Sequence, residues 1–157
     1  MSVADRLAHV RARIDAAARS AGRNPSSVRL VAISKTLPLS AIREAYAAGQ
    51  RDFGENRVQE ALSKIATASD LAIRWHLVGH LQTNKARDAV RLADVIEVLD
   101  RPRLADAIAD AIQKEGRSPD LLVQVNVGDE PQKSGIPTAD ADAFIESCRT
   151  RFGASLT

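Results

Sequence analysis

Lys35 ends a mostly apolar run, Val28-Arg29-Leu30-Val31-Ala32-Ile33-Ser34, and an amine in that setting can attack carbonyl carbon. Beside an apolar mouth a lysine loses hydration, its pKa falls, and the free amine can condense with an aldehyde or ketone. The plainer alternative is a strand-end lysine that reaches past apolar surface into water.

Other polar residues gather at the ends of further segments that read as strands: Glu55 and Asn56, then His80, Gln82 and Asn84, then Asp100, and Asn126 with Lys133 beyond it. Asn56 and Glu55 also stand where a helix begins, and Glu55 is expected to serve that helix end rather than a ligand. Lys133 is either a second amine for a ligand or a solvated loop lysine. His76, next to Trp75, reads as a core histidine, Asp100 as the residue leading into a helix, and Cys148 as a half-buried filler on a late helix.

The elements that must hold these residues alternate. Val3, Leu7, Val10, Ile14 and Ala18 recur at three- and four-residue steps, which predicts an opening helix over about 3–21. Val28 to Lys35 then predicts a strand, followed by a helix bearing Ile42, Ala45 and Tyr46. The same unit recurs with Asp52 to Asn56 before Val58, Ala61, Leu62 and Ile65, and with Ile73 to Gly79 before a helix from about Asn84 to Arg91. Val95 to Leu99 leads through Pro102 to Leu104, Ile108 and Ile112, and Leu121 to Val127 leads through a loop to a helix over about 138–149.

Five strand-helix units over about 28–150 demand a parallel sheet, either a doubly wound open sheet or a (β/α)8 barrel. The residues after Ile33 are Ser34, Lys35, Thr36 and Leu37, with no glycine-rich dinucleotide fingerprint, which favours the barrel. In a barrel the active site forms at the carboxyl ends of the strands, where Lys35, Glu55, Asn56, His80, Gln82, Asn84, Asp100 and Asn126 are placed. A closed barrel usually takes about 250 residues, so the expectation is a single partial barrel domain over 1–157, its last strands absent.

Composition narrows the function. A net charge of +2 supplies no field that argues for nucleic acid or membrane partners, and 3% aromatic residues leave too little surface for base stacking. One cysteine and three histidines offer no zinc-ligand spacing and no disulfide, so a metal-free cytoplasmic protein is expected.

Longer stretches carry more than composition: Val31-Ala32-Ile33-Ser34-Lys35-Thr36, Phe53 to Glu60, Trp75 to Lys85, and Gln124-Val125-Asn126-Val127 through Lys133-Ser134-Gly135. In order and spacing they resemble the YggS/PROSC family of pyridoxal phosphate homeostasis proteins over essentially the whole chain. The resemblance implies a barrel of the alanine racemase N-terminal-domain type, with pyridoxal 5′-phosphate (PLP) held as a Schiff base on Lys35 and Asn56 near the cofactor ring. It implies a carrier or regulator of the vitamin B6 pool rather than an enzyme, with PLP-dependent apoenzymes as recipients and full-length relatives monomeric. It also implies that the sequence is C-terminally truncated, without the late loops that cradle the cofactor phosphate, so that weaker PLP binding and association through an open sheet edge are expected. Two other readings stand beside it. One is an amino-acid racemase, for which Tyr46, on the first barrel helix, offers no evident second acid/base group; the other is an inert fragment.

Overall fold

The computed structural model describes residues 1–157. Helix α1 (Val3–Ser20) starts at a capping box: the Ser2 hydroxyl accepts the Asp5 N–H at 3.1 Å, and the Asp5 carboxylate accepts the Ser2 N–H at 2.9 Å. After it come β1 (Ala32–Ile33), α2 (Leu39–Ala47), β2 (Asp52–Glu55), α3 (Val58–Thr67), β3 (Arg74–Leu77) and α4 (Ala86–Leu92). The chain continues through β4 (Val95–Leu99), α5 (Pro102–Glu115), β5 (Asp120–Val123), β6 (Val125–Asn126), β7 (Ile136–Pro137) and α6 (Thr138–Phe152). Strands β1 to β5 form one parallel sheet in sequence order, with a helix between each consecutive pair, which is the βα progression of a barrel wall.

Alternation along the strands separates two faces. Ala32, Phe53, Trp75, Leu77, Ile96 and Leu121 point to the helices, and the core lies there: Phe53 and Trp75 pack with Ile42, Ala45 and Ala68, while Leu77, Ile96 and Leu121 join Val90, Leu104, Ile108 and Phe144. The Phe53 and Trp75 rings are tilted at 43° with centroids 6.1 Å apart. The opposite face carries Ile33 and Val95 level with Gly54 and His76, and a polar network beside them. His76, 4% exposed, bridges Asp52 through Nε2 at 3.0 Å and Glu97 through Nδ1 at 2.5 Å, and Arg74 pairs with Asp120. The core histidine expected from the sequence is therefore a buried link between carboxylates of the two flanking strands.

Three elements differ from expectation. The strand expected over Val28–Lys35 is reduced to Ala32–Ile33, because the Leu30 carbonyl is taken by the Gln50 amide at 2.7 Å and the chain turns after Ser34. The strand expected over Leu121–Val127 ends at Val123, and Val125–Asn126 pair instead with Ile136–Pro137. Gly135, with φ 125°, allows that pairing: a Cβ there would lie 2.6 Å from the Asn126 nitrogen. The helix expected from Asn84 opens as a 3-10 turn, Thr83–Lys85, before α4. At the chain's end, Leu156 bridges Leu121 in parallel and the Thr157 N–H donates to the Leu121 carbonyl at 3.1 Å, occupying part of the outer edge of β5.

Candidate functional site

At the carboxyl end of β1 the chain makes a tight turn, Ser34-Lys35-Thr36-Leu37, closed by the Leu37 N–H donating to the Ser34 carbonyl at 3.1 Å. Thr36 has φ 62°, the left-handed region that type II turns require at their third residue and that β-branched side chains rarely enter. Lys35 stands at the second position, exposed, with no hydrogen-bond or ion-pair partner. Of the two settings weighed for it, the solvated one is found: β1 stops at Ile33 and the turn carries Lys35 into water.

Beneath this turn lies a polar cluster on the helix-facing side of the sheet. The Ser34 hydroxyl donates to Glu55 Oε1 at 2.6 Å. Lys64, on α3, donates to Glu55 Oε1 at 2.8 Å, to Glu60 Oε1 at 2.8 Å and to the Ser34 carbonyl at 2.7 Å. Glu60 Oε1 also accepts the Thr36 N–H at 2.6 Å. Glu55 and Lys64 side chains are only 1% and 12% exposed, and Glu55 Oε2 has no partner. The expectation that Glu55 serves the start of α3 is overturned: Arg57 is the N-cap, and alternation along β2 turns Glu55 under the helix layer instead. Burial works against the Lys64 charge, but its hydrogen bonds to Glu55 and Glu60 outweigh that and hold its pKa above the usual lysine value. The Lys64 hydrogen bond, then the Thr36 N–H, hold Glu60 below the usual carboxylate range. The sequence reading missed Lys64 and Glu60, although their four-residue spacing on one helix was a usable signal.

Ile33 and Gly54 are paired in register, and Lys35 and Asn56 each follow that pair by two residues, just past the carboxyl ends of the neighbouring strands β1 and β2. From β3, Gly79 approaches Asn56 with no room for a side chain between them.

The remaining polar residues spread along the same edge. His80 is exposed, with Nδ1 3.2 Å from the Ser134 hydroxyl and 3.9 Å from Asp100. Asp100 is 7% exposed and pairs with Arg101, the N-cap of α5, whose guanidinium also donates to the Leu81 carbonyl at 2.7 Å. Asn126 is tied to Glu130 through its amide and carbonyl, and exposed Lys133 pairs with Glu130 at 2.6 Å. Exposed Gln82 is the N-cap of the 3-10 turn before α4, and exposed Asn84 lies within that turn. Tyr46 is elsewhere: its hydroxyl accepts the Ala72 N–H at 3.3 Å and Arg51 stacks 3.9 Å from its ring centre. Cys148, expected to be half-buried, is 2% exposed, on the inward face of α6 and packed into the core.

Residues 6–157 match the profile of the family described as alanine racemase, N-terminal domain. The chain belongs to that family. It is 43% identical over 150 residues to a pyridoxal phosphate homeostasis protein of Pseudomonas aeruginosa, an alignment covering 94% of this chain and 64% of that protein. Against the protein of the same name from Escherichia coli it is 44% identical, over 89% of this chain and 61% of that protein. Among solved structures, PipY of Synechococcus elongatus with PLP bound superposes with a TM-score of 0.81 at 44% identity, covering 96% of this chain and 65% of PipY. An alanine racemase of Streptomyces coelicolor shares the fold, with a TM-score of 0.67 at 22% identity. The fold is thus the barrel type expected from the sequence, represented by five βα units. The chain spans about three-fifths of the length of the curated relatives it matches. No helix is long and apolar enough to cross a membrane.

Proposed function

We propose that this chain binds PLP through the Lys35 amine and acts as a cytoplasmic carrier in vitamin B6 homeostasis rather than as a catalyst, with residues 1–157 forming one partial barrel domain. The observation that carries the reading is the Lys35 amine itself: exposed and unpartnered, on a turn at the carboxyl end of a barrel strand. In the same region Lys64 has its donors engaged and Lys133 is paired to Glu130. A 44%-identical relative is a structure with PLP bound, which supports the choice of ligand.

The residues present fit such a group. PLP supplies an aldehyde that condenses with a primary amine, forming a carbon–nitrogen double bond (a Schiff base) and releasing water. Lys35 would offer the amine, and Asn56, just past the carboxyl end of the neighbouring strand, would offer an amide to the cofactor ring. Turnover of an amino acid would also need acid/base groups on both faces of its Cα, and Tyr46 is engaged with Ala72 and Arg51 on α2. Holding PLP reversibly suits transfer to PLP-dependent apoenzymes.

Borohydride reduction of PLP-treated protein followed by peptide mass mapping tests this. The adduct is expected on Lys35, and Lys35→Ala is expected to abolish it. A Lys35→Ala chain that yellows as fully as the parent would refute the assignment. A racemization assay with alanine or serine is expected to show no turnover, and robust turnover would replace the carrier reading.

A further inference from the structure

Both peptide groups that flank Lys35 are held by side chains of α3. The peptide before it presents the Ser34 carbonyl, which accepts from Lys64 Nζ at 2.7 Å. The peptide after it presents the Thr36 N–H, which donates to Glu60 Oε1 at 2.6 Å. Because peptides are planar, a residue's only soft backbone rotations are those that orient these two groups about its Cα. Holding both fixes the direction in which the Lys35 side chain leaves the backbone.

We propose that Glu60 and Lys64, backed by Glu55, are positioning residues that aim the Lys35 amine and reserve it as the reactive amine of this corner. The inference rests on the PLP reading above and adds to it the residues that act through Lys35. Three observations converge on it. The turn is strained at Thr36, whose φ of 62° is poorly suited to a β-branched residue, and its N–H is fastened there by a charged acceptor. The Lys64 ammonium has three protons and three acceptors, Ser34 O, Glu55 Oε1 and Glu60 Oε1, and is only 12% exposed. It has neither a lone pair nor an open approach with which to attack an aldehyde. Finally, the Ser34 hydroxyl is tied to Glu55, so the residue before Lys35 is held by side chain as well as carbonyl.

The test uses the full chain and three readouts: the PLP adduct equilibrium with its mapped site, formaldehyde–borohydride methylation of Lys35 and Lys64, and amide hydrogen exchange at Thr36. Glu60→Ala is expected to weaken the Lys35 adduct about tenfold and to speed Thr36 exchange, as removal of a hydrogen bond to a charged group would. Glu60→Gln keeps an amide oxygen to accept the Thr36 N–H and is expected to restore most of both. In the parent, methylation is expected at Lys35 and not at Lys64. An unchanged adduct in Glu60→Ala, or equal losses in Glu60→Ala and Glu60→Gln, overturns the proposal. Should Glu60→Ala fail to fold, Glu60→Asp, which keeps the charge but draws the acceptor back, takes its place with the same two expectations. A parent chain that forms no adduct on Lys35 refutes the PLP reading instead; positioning is then decided by exchange and methylation, and unchanged values in the variants overturn it.

Discussion

Gly79 lies so close to Asn56 that a Cβ built on it would sit 2.3 Å from the Asn56 carbonyl oxygen and 2.6 Å from the Asn56 Cβ. The segments leaving β2 and β3 therefore touch backbone to backbone, and glycine is required by the approach rather than by φ. Gly79→Ala must displace Asn56, with a cost of about 1–3 kcal/mol in the range of overpacked sites. Urea unfolding should show a lower midpoint with an unchanged slope; an unaltered midpoint would show that the contact relaxes freely.

Lys64 is the counter-ion to two carboxylates, one of them almost fully buried. Lys64→Met leaves Glu55 and Glu60 facing one another without it, and a loss of about 3–5 kcal/mol is expected. Adding Glu55→Leu removes the buried charge and should recover a large part. Chemical denaturation of the single and double variants measures both, and a double variant no more stable than the single would contradict this account.

Glu115 receives Arg91 at 3.0 Å and also pairs with Arg87, and these hydrogen bonds hold its pKa down from 4.5 to about 2. A carboxyl whose folded-state pKa is depressed stabilises the fold fully above its unfolded value and loses that contribution as pH falls through the folded one. Stability should therefore decline as pH drops from about 4.5 toward about 2, and Glu115→Gln should flatten that part of the profile. Thermal melting across this window compares them; superimposable acid slopes would remove Glu115 from the explanation.

Cys148 is buried, and burial pushes its thiol pKa up. In the folded chain it should react slowly with a disulfide reagent near neutral pH, and in denaturant quickly, since the thiolate is the attacking species. Equal rates in both states would mean that α6, which carries it, opens readily.

Much of the site could be read from local signals. Lys35 and Asn56 follow segments legible as the first two strands, and a parallel βα progression brings the residues after successive strands to one edge. His76 was legible as a buried, satisfied histidine; with Trp75 and Leu77 facing the helices it lies on the other face of the sheet, between Asp52 and Glu97. Glu55 was misread, since a carboxylate just before a helix ordinarily serves its N-terminus. Its actual direction depends on the parity of β2, which only pairing with β1 and β3 sets.

By itself the sequence determined the order of elements, the face of each helix that packs inward and the edge where polar residues gather, because hydrophobic periodicity and turn chemistry act over a few neighbouring residues. Only the tertiary structure decided that Lys35 stands on a turn in solvent, that Lys64 and Glu60 grip the peptides beside it, and that Val125 leaves the main sheet for Ile136. Those outcomes depend on contacts between residues that are distant in the chain, such as Lys64 and Ser34, and no local pattern encodes which of several available partners a buried charge or a backbone carbonyl will take.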